Sequence, residues 1–262
     1  MTMSSIVKTE AVVLKSMKYR ETSKIVTFYT RDFGKVRAIA KGARQSRNKF
    51  GSSLEPMSYV LLVLYRKEHR DLQLVSQCDL IKSFRHLSED LGKMAVCMSA
   101  IELVEKVSHD EEKNEQFFQL LIDLLSTVNS ATQQPWNVLY GFEIRLSGIL
   151  GFQPNFEKCA LCGKAIIPGN KDSNSVVFHL SKGGPLCSTC VTQSGFRVSV
   201  SSDSLKVLIQ LASFRKLEEI VNFEFSHSRR PEIESLLIRF LQFHIEGLQN
   251  LKAEKVLSRV LA

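Results

Sequence analysis

The sequence lacks the motifs that mark most catalytic proteins. It contains no G-x-x-x-x-G-K-S/T phosphate loop, no H-E-x-x-H metal helix and no G-x-S-x-G nucleophile turn. The six histidines are scattered, and none has a second ligand at metal spacing. No pair of carboxylates stands out from solvated helix faces. We therefore expect a protein that is not an enzyme and whose function is to bind other molecules.

Long apolar segments are also missing. The first ten residues contain no apolar core of the kind found in signal peptides. The densest apolar run, Tyr59–Tyr65, is far too short to span a bilayer. These absences predict a soluble, cytoplasmic protein with no membrane partner.

Acidic residues are scarce in the first part of the chain. Residues 1–70 carry fifteen Lys or Arg and five Asp or Glu, whereas the remaining 192 residues carry twenty and twenty-two. The formal charge of +8 is therefore concentrated at one end, most densely in Lys15–Lys49, which has eleven cations and two acids. Such asymmetry favours a polyanionic partner, nucleic acid above all. A solvated basic face without a partner is the open alternative.

The basic segment has the pattern of a β domain. Gly34–Lys41 alternates between Lys, Arg or Ile on one face and small apolar residues on the other, which is typical of a half-buried strand. Five short strands are predicted within residues 6–78, with a Gly-, Ser- and Arg-rich loop at 42–57. A small barrel of this kind with a cationic face is most often an oligonucleotide-binding OB-fold. An SH3-like barrel or an open sheet is the alternative that the pattern leaves open.

After Cys78 the apolar residues recur with helical spacing. We expect helices after Leu91 and around Phe117, with Asp110–Glu112 as the first turn of the second. Further helices are predicted from Pro135, from a cap at Ser202 or Asp203, and from Pro231. The predicted fold class is therefore α+β: a five-stranded OB-fold barrel at 1–80, packed on an all-α domain at 81–262 with an inserted four-cysteine zinc finger at about 155–195.

Four cysteines form two C-x-x-C pairs, Cys159 with Cys162 and Cys187 with Cys190, separated by twenty-four residues. Two such pairs can complete a closed tetrahedral site, so we predict one structural zinc ion held by four thiolates. The alternatives are an iron–sulfur cluster, disulfides or free thiols, and disulfides are disfavoured because nothing marks the chain as secreted. His179 lies between the pairs and is interpreted as a non-ligand.

Several short segments carry a recognisable combination of residues. They are Tyr19–Thr30, Gly34 with Lys35, Ala40–Arg44 and Leu54–Pro56 in the N-terminal part, and residues 150–155, which lead into the first cysteine pair. Taken together, these segments resemble the RecO family of bacterial recombinational repair mediators. The resemblance covers nearly the whole chain. It implies an OB-fold, a helical domain that carries a zinc finger in some members, and binding and annealing of single- and double-stranded DNA. It also implies RecF-pathway partners: RecR, the C-terminal tail of single-strand-binding protein (SSB), and RecA indirectly.

The resemblance also implies which residues contact DNA, in a cytoplasmic, nucleoid-associated protein. Lys35, Arg37 and Lys41 are expected to project from one strand face toward phosphates, and the loop to extend that surface flexibly. The predicted DNA-binding set is Lys24, Lys35, Arg37, Lys41, Arg44, Arg47 and Lys49. Tyr19 or Phe28 is a candidate for stacking on a base, and Phe28 is equally a candidate for the core. The alternative function is an interaction scaffold whose basic domain binds an acidic protein tail or RNA.

Overall fold

The structure is a computed structural model that describes residues 5–68, 70–169, 174–192 and 195–249. Two compact units are present, one that runs to Ser130 and one that begins at Ala131. Among the helices of these described ranges, none is both long and apolar enough to cross a membrane. The barrel ends at Lys82, close to the domain boundary predicted near residue 80, which stays a prediction.

Five strands form a closed barrel in the order β1-β2-β3-β5-β4, which is the OB-type arrangement predicted from the sequence. Their bounds are β1 Ser5–Tyr19, β2 Ser23–Thr30, β3 Gly34–Ala40, β4 Tyr59–Arg66 and β5 Gln73–Lys82. All neighbours pair antiparallel except β3 and β5, which pair parallel over a short stretch. The alternation in β3 is confirmed, because Val36, Ala38 and Ala40 lie in the barrel core.

The segment between β3 and β4 is attached to the barrel core. The loop predicted at 42–57 is confirmed, because these described residues form turns with no helix or strand among them. Phe50 and Leu54 are buried in the core cluster, and Ser53 Oγ donates 2.8 Å to the carbonyl of Cys78. A chain of turns is thereby fixed to the barrel, because its apolar residues have no other place to be buried.

Two helices, α1 (Leu91–Val107) and α2 (Glu115–Ser130), complete the first unit. They cover part of the outer surface of the barrel. The ring of Tyr29 on β2 lies 4.9 Å from that of Phe117 and 6.3 Å from that of Phe118. This packing explains why Tyr29 is fully buried although it points away from the barrel core.

The acidic segment Asp110–Glu112 does not begin α2, and the prediction that it does is wrong. Asn114 caps that helix, since its Oδ1 accepts from the N–H of Phe117 at 2.9 Å. The acidic segment instead lies against the barrel, where Glu111 N–H donates to the carbonyl of Lys35 at 3.3 Å. Its carboxylates pair with barrel cations, which a position at the helix start would not allow.

The acidic segment Asp110–Glu112 approaches the barrel closely at Gly34. The φ of Gly34 is +61°, and a Cβ there would collide with the backbone oxygen of Glu112. We expect Gly34→Ala to lower the free energy of unfolding by about 2–3 kcal/mol, from left-handed backbone strain and overpacking. Gly51→Ala is the matched control, because Gly51 has φ +53° but open space around it. Equal losses in urea unfolding for both variants would contradict the close approach.

The second unit contains four helices and a small sheet within the described residues. The helices are α3 Pro135–Ile149, α4 Ser202–Ser213, α5 Leu217–Ile220 and α6 Arg230–His244. Pro135 and Pro231 occupy first turns as predicted. The cap of α4 is Ser201 rather than Ser202 or Asp203, because the Ser201 hydroxyl accepts from the N–H of Ser204.

A three-stranded sheet accompanies these helices, and helical periodicity did not predict it. Its order is β7-β6-β8, with β6 at Ser175–His179, β7 at Gly184–Pro185 and β8 at Arg197–Ser201. The strands are too short to show a clear period of two. The sheet connects the second cysteine pair to α4.

Candidate nucleic-acid interface and metal centre

The outer face of β2 and β3 is the surface on which the predicted DNA-binding residues of β3 lie. The strand register sets Arg37 opposite Thr27 and Lys35 opposite Tyr29. Side chains of directly paired residues share a face, so both cations point away from the barrel core. Arg37 is exposed, as is Lys41 just beyond the strand. In OB-folds the face of strands 2 and 3, with the loops after strands 1 and 4, binds oligonucleotides.

Lys35 has a different environment from Arg37. Its Nζ donates to the carbonyls of Ser108 at 2.6 Å and Glu105 at 3.2 Å, and lies 3.6 Å from a carboxylate oxygen of Asp110. The ammonium thus binds the last carbonyls of α1, where the helix dipole favours a cation. Because the N–H donors of its ammonium already have acceptors, Lys35 is not part of the interface proposed for DNA.

The basic turns after β3 lie beside the β1–β2 turn. Arg44 N–H donates to the carbonyl of Thr22 at 2.9 Å, and Arg44 Nη1 donates to that of Arg20 at 2.8 Å. Arg44 and Arg47 are both exposed. Two segments distant in sequence therefore bring their cations to one end of the barrel.

Lys24 and Lys49 each have an acceptor within the first unit, a carboxylate for Lys24 and a backbone carbonyl for Lys49. Lys24 Nζ lies 2.8 Å from a carboxylate oxygen of Glu55, and Lys49 Nζ donates to the carbonyl of Ser76. An exposed ion pair of this kind adds little stability and can exchange with a phosphate. Of the seven predicted contacts, the exposed ones without an ion pair among the described residues are Arg37, Lys41, Arg44, Arg47 and Lys49.

The two aromatic candidates for base stacking differ in how deeply they are buried. Phe28 is 0% exposed and belongs to the barrel core, so it cannot contact a base. Tyr19, at the end of β1, is half-buried, and the guanidinium of Arg20 lies 5.3 Å from its ring centroid. The sequence pattern could not separate them, because an aromatic residue on a strand fits either face.

The four predicted metal ligands converge in the second unit. The sulfur atoms of Cys159, Cys162, Cys187 and Cys190 all lie within 4.8 Å of one another, and those of Cys162 and Cys187 are 3.7 Å apart. The first pair turns through Gly163, whose N–H donates to the carbonyl of Cys159 at 2.9 Å and whose φ is +74°. A left-handed residue at that position favours glycine.

Backbone hydrogen bonds prepare part of the cluster for ionisation. Burial opposes the thiolate of Cys159, but N–H groups of Cys162, Cys187 and Leu161 donate to it and lower its pKa to about 6. A hydrogen bond from the Cys190 backbone likewise lowers the pKa of Cys187. By contrast, the hydrogen bond that Cys190 makes to Cys187, together with burial, raises the pKa of Cys190 to about 12.

These opposed pKa shifts indicate that the cluster needs a bound cation before all four thiols can ionise. Four sulfurs this close cannot all carry negative charge unless a cation compensates them. The donor set, four thiolates with no oxygen ligand, suits a soft divalent metal ion in a closed tetrahedral shell. His179 lies outside this cluster; its Nδ1 is 3.2 Å from Ser181 Oγ, in keeping with its interpretation as a non-ligand.

A small apolar cluster surrounds the sulfurs. It contains Leu186 with the partly buried side chains of Ala160, Leu161, Ile166, Val177 and Val191. Leu186 N–H also donates to the carbonyl of Val177 at 2.8 Å, which attaches the second cysteine pair to β6. This apolar cluster is small, so a bound metal would contribute much of the order in this segment.

These features define a class: proteins that join an OB-type barrel to a helical unit with a four-cysteine metal centre. Comparison with known proteins narrows the class. The family model described as recombination protein O N terminal matches residues 3–84, and the one described as recombination protein O C terminal matches residues 88–253. The chain belongs to the recombination protein O family.

Individual relatives agree with the family models. The chain is 31% identical to the DNA repair protein RecO of Chloroherpeton thalassium, over 97% of this chain and 98% of that protein. It is 32% identical to the DNA repair protein RecO of Syntrophus aciditrophicus, over 97% and 95%. A third RecO, from Caldanaerobacter subterraneus subsp. tengcongensis, is 30% identical over 91% and 93%. The similarity covers the barrel, the helices and the cysteine pairs.

Proposed function

We propose that this chain is a DNA-binding, strand-annealing recombination mediator that acts without catalysing a covalent reaction. The observation that carries the proposal is the outward face of β3 and the adjoining turns, where Arg37, Lys41, Arg44 and Arg47 are exposed. Its relatives are named DNA repair proteins, which supports DNA as the polyanion. The cations contact phosphates rather than base edges, so binding has little sequence preference.

Annealing follows from the same electrostatics. Two complementary strands repel each other through their phosphates, and a cationic surface that binds both lowers this repulsion and raises their local concentration. No nucleotide is required for this effect. In the RecF pathway the chain would act with RecR and with the C-terminal tail of SSB. It would thereby help RecA to load onto SSB-coated strands. These partners are implied by the family resemblance. The proposed location is the cytoplasm, associated with the nucleoid.

The proposed metal is zinc, one ion per chain, held by Cys159, Cys162, Cys187 and Cys190. Four thiolates leave no open coordination position, so the ion would be structural and not catalytic. Its chemistry would be to compensate the sulfur charges and connect the two cysteine turns. The proposed zinc site belongs to the second unit and the proposed DNA-binding surface to the first.

Binding of a labelled single-stranded DNA oligonucleotide at two salt concentrations tests the function. We expect binding that weakens linearly in log Kd against log salt, and faster annealing of complementary strands without ATP. An RNA strand of the same sequence is measured in parallel. Absence of DNA binding at low salt would refute the proposal, and a clear preference for RNA would favour the alternative of an RNA-binding scaffold.

A further inference from the structure

The four sulfurs of the cysteine cluster differ in their access to solvent. Cys159 and Cys190 are 3% and 8% exposed and belong to the small apolar cluster around the site. Cys187 is half-buried, and Cys162 is exposed. Each C-x-x-C pair therefore has one buried member and one member that solvent can reach. This difference bears on reactivity, because buried thiols are inert toward reagents in solution whereas accessible ones react.

The two accessible sulfurs belong to different pairs and lie next to each other. Cys162 Sγ and Cys187 Sγ are 3.7 Å apart, which matches the edge of about 3.8 Å expected for a tetrahedron of sulfurs at about 2.3 Å from zinc. A disulfide requires about 2.05 Å between its sulfurs, so the two need to approach each other by less than about 2 Å. A Cβ on Gly163, directly after Cys162, would meet nothing within 4 Å among the described residues. The site is thus open on the side of Cys162.

We propose that Cys162 and Cys187 are a peroxide-sensitive pair, whose oxidation to a disulfide releases the metal ion. The inference rests on the zinc site proposed above and goes beyond it, since two of the four ligands acquire a redox reaction.

The reaction takes two electrons from the two thiolates and gives them to hydrogen peroxide. The Cys162 thiolate attacks one peroxide oxygen and becomes a sulfenic acid, and the other oxygen leaves as water after taking up a proton. The Cys187 thiolate then attacks the sulfenic sulfur, the S–S bond forms, and the hydroxyl group leaves with another proton as a second water. Only Cys159 and Cys190 remain as ligands. Their thiolates take up two further protons and release the ion.

A disulfide within one C-x-x-C pair is the competing product. It would need the sulfur of Cys159 or Cys190, and both residues are buried. The N–H of Cys187 also donates to the sulfur of Cys159 at 3.4 Å, which holds that sulfur in place. The disulfide between the pairs needs neither buried sulfur. It would also join the two cysteine turns covalently without the metal, so reduction in the presence of zinc can restore the site.

The test treats the zinc-loaded, full-length protein with hydrogen peroxide and follows released zinc with a chromogenic chelator. We expect about one zinc ion to be released per chain. Peptide mass mapping after alkylation should show a disulfide between Cys162 and Cys187. Cys78 and Cys97 should stay reduced, since both are buried and lie outside the sulfur cluster. Dithiothreitol with added zinc should restore the metal content.

Two matched variants separate solvent access from metal binding. Cys162→His and Cys190→His each leave three cysteines and one histidine, a donor set that structural zinc sites also use. Cys162→His removes the exposed sulfur, so we expect peroxide to release zinc about tenfold more slowly. Cys190→His removes a buried sulfur and should release zinc at the wild-type rate. Zinc content and thermal melting check that each variant is loaded and folded.

The outcomes separate this inference from the metal assignment on which it rests. Zinc retained by the wild-type protein in a large excess of peroxide would overturn the inference, as would a disulfide within either C-x-x-C pair or equal release rates in the two variants. If a variant binds no zinc, the mapping of the wild-type disulfide still decides. A wild-type protein without zinc before treatment contradicts the proposed metal itself, whatever peroxide does to the thiols.

Discussion

Replacing Arg37, Lys41 and Arg44 together with alanine is expected to weaken binding of a single-stranded oligonucleotide by on the order of 100-fold at low salt. All three side chains are exposed, and none has an ion pair among the described residues. Each phosphate contact contributes about −0.7 to the slope of log K against log salt for single strands. Loss of three contacts should therefore make the slope shallower by about 2.

The control for this triple variant removes the same charge elsewhere. Lys164, Lys182 and Arg215 are exposed in the second unit, and their replacement by alanine lowers the net charge equally. Fluorescence anisotropy across a salt series measures both variants, and thermal melting checks that each is folded. If the two triple variants lose affinity equally, net charge rather than the β3 face governs binding, and the proposed interface is misplaced.

Replacing Cys159 with serine should abolish metal binding and unfold the segment around the cysteine pairs. Cys159 is buried, and backbone N–H groups of Cys162, Cys187 and Leu161 donate to its sulfur, so its replacement removes a ligand that the surrounding backbone holds in place. A structural zinc site contributes folding free energy outright, because its ligands do not converge in the unfolded chain. We expect the zinc content to fall from about one ion per chain to none, and a loss of several kcal/mol that lowers Tm by about 2–4 °C per kcal/mol.

A second cysteine separates loss of metal from loss of a buried thiol. Cys78 is buried in the barrel core and lies outside the sulfur cluster, so Cys78→Ala should destabilise the first unit while zinc content is retained. Elemental analysis of the wild-type protein and both variants gives the metal content directly. Wild-type protein purified without chelator and containing no zinc would refute the assignment of the metal.

The parts of the fold that local pattern specifies were predictable. The alternation in β3 and the spacing of the cysteine pairs each depend on a few adjacent residues and a single physical rule. The contacts of Lys35 could not be predicted in the same way. Its acceptors lie on α1, about seventy residues further along the chain, and neither the end of that helix nor its docking on the barrel has a signature near Lys35.

The same limitation applies to the aromatic residues. Phe28 and Tyr29 are neighbours with opposite environments, one inside the barrel and one beneath α2, because successive strand residues point to opposite faces. Which face is the inside depends on how the whole barrel closes, so no single stretch of sequence indicates it.

The contacts of Tyr29 and Lys35 have a consequence for local opening of the native state. The ring of Tyr29 packs on Phe117 of α2, and the ammonium of Lys35 donates to the carbonyl of Ser108 at the end of α1. Separation of these two helices from the barrel would therefore expose both side chains. In native-state hydrogen exchange, the amides of β2, β3 and the start of α2 should therefore exchange as one cooperative group. The strands proposed to contact DNA would then depend for part of their rigidity on α1 and α2, and binding of a nucleic-acid strand should slow amide exchange in both.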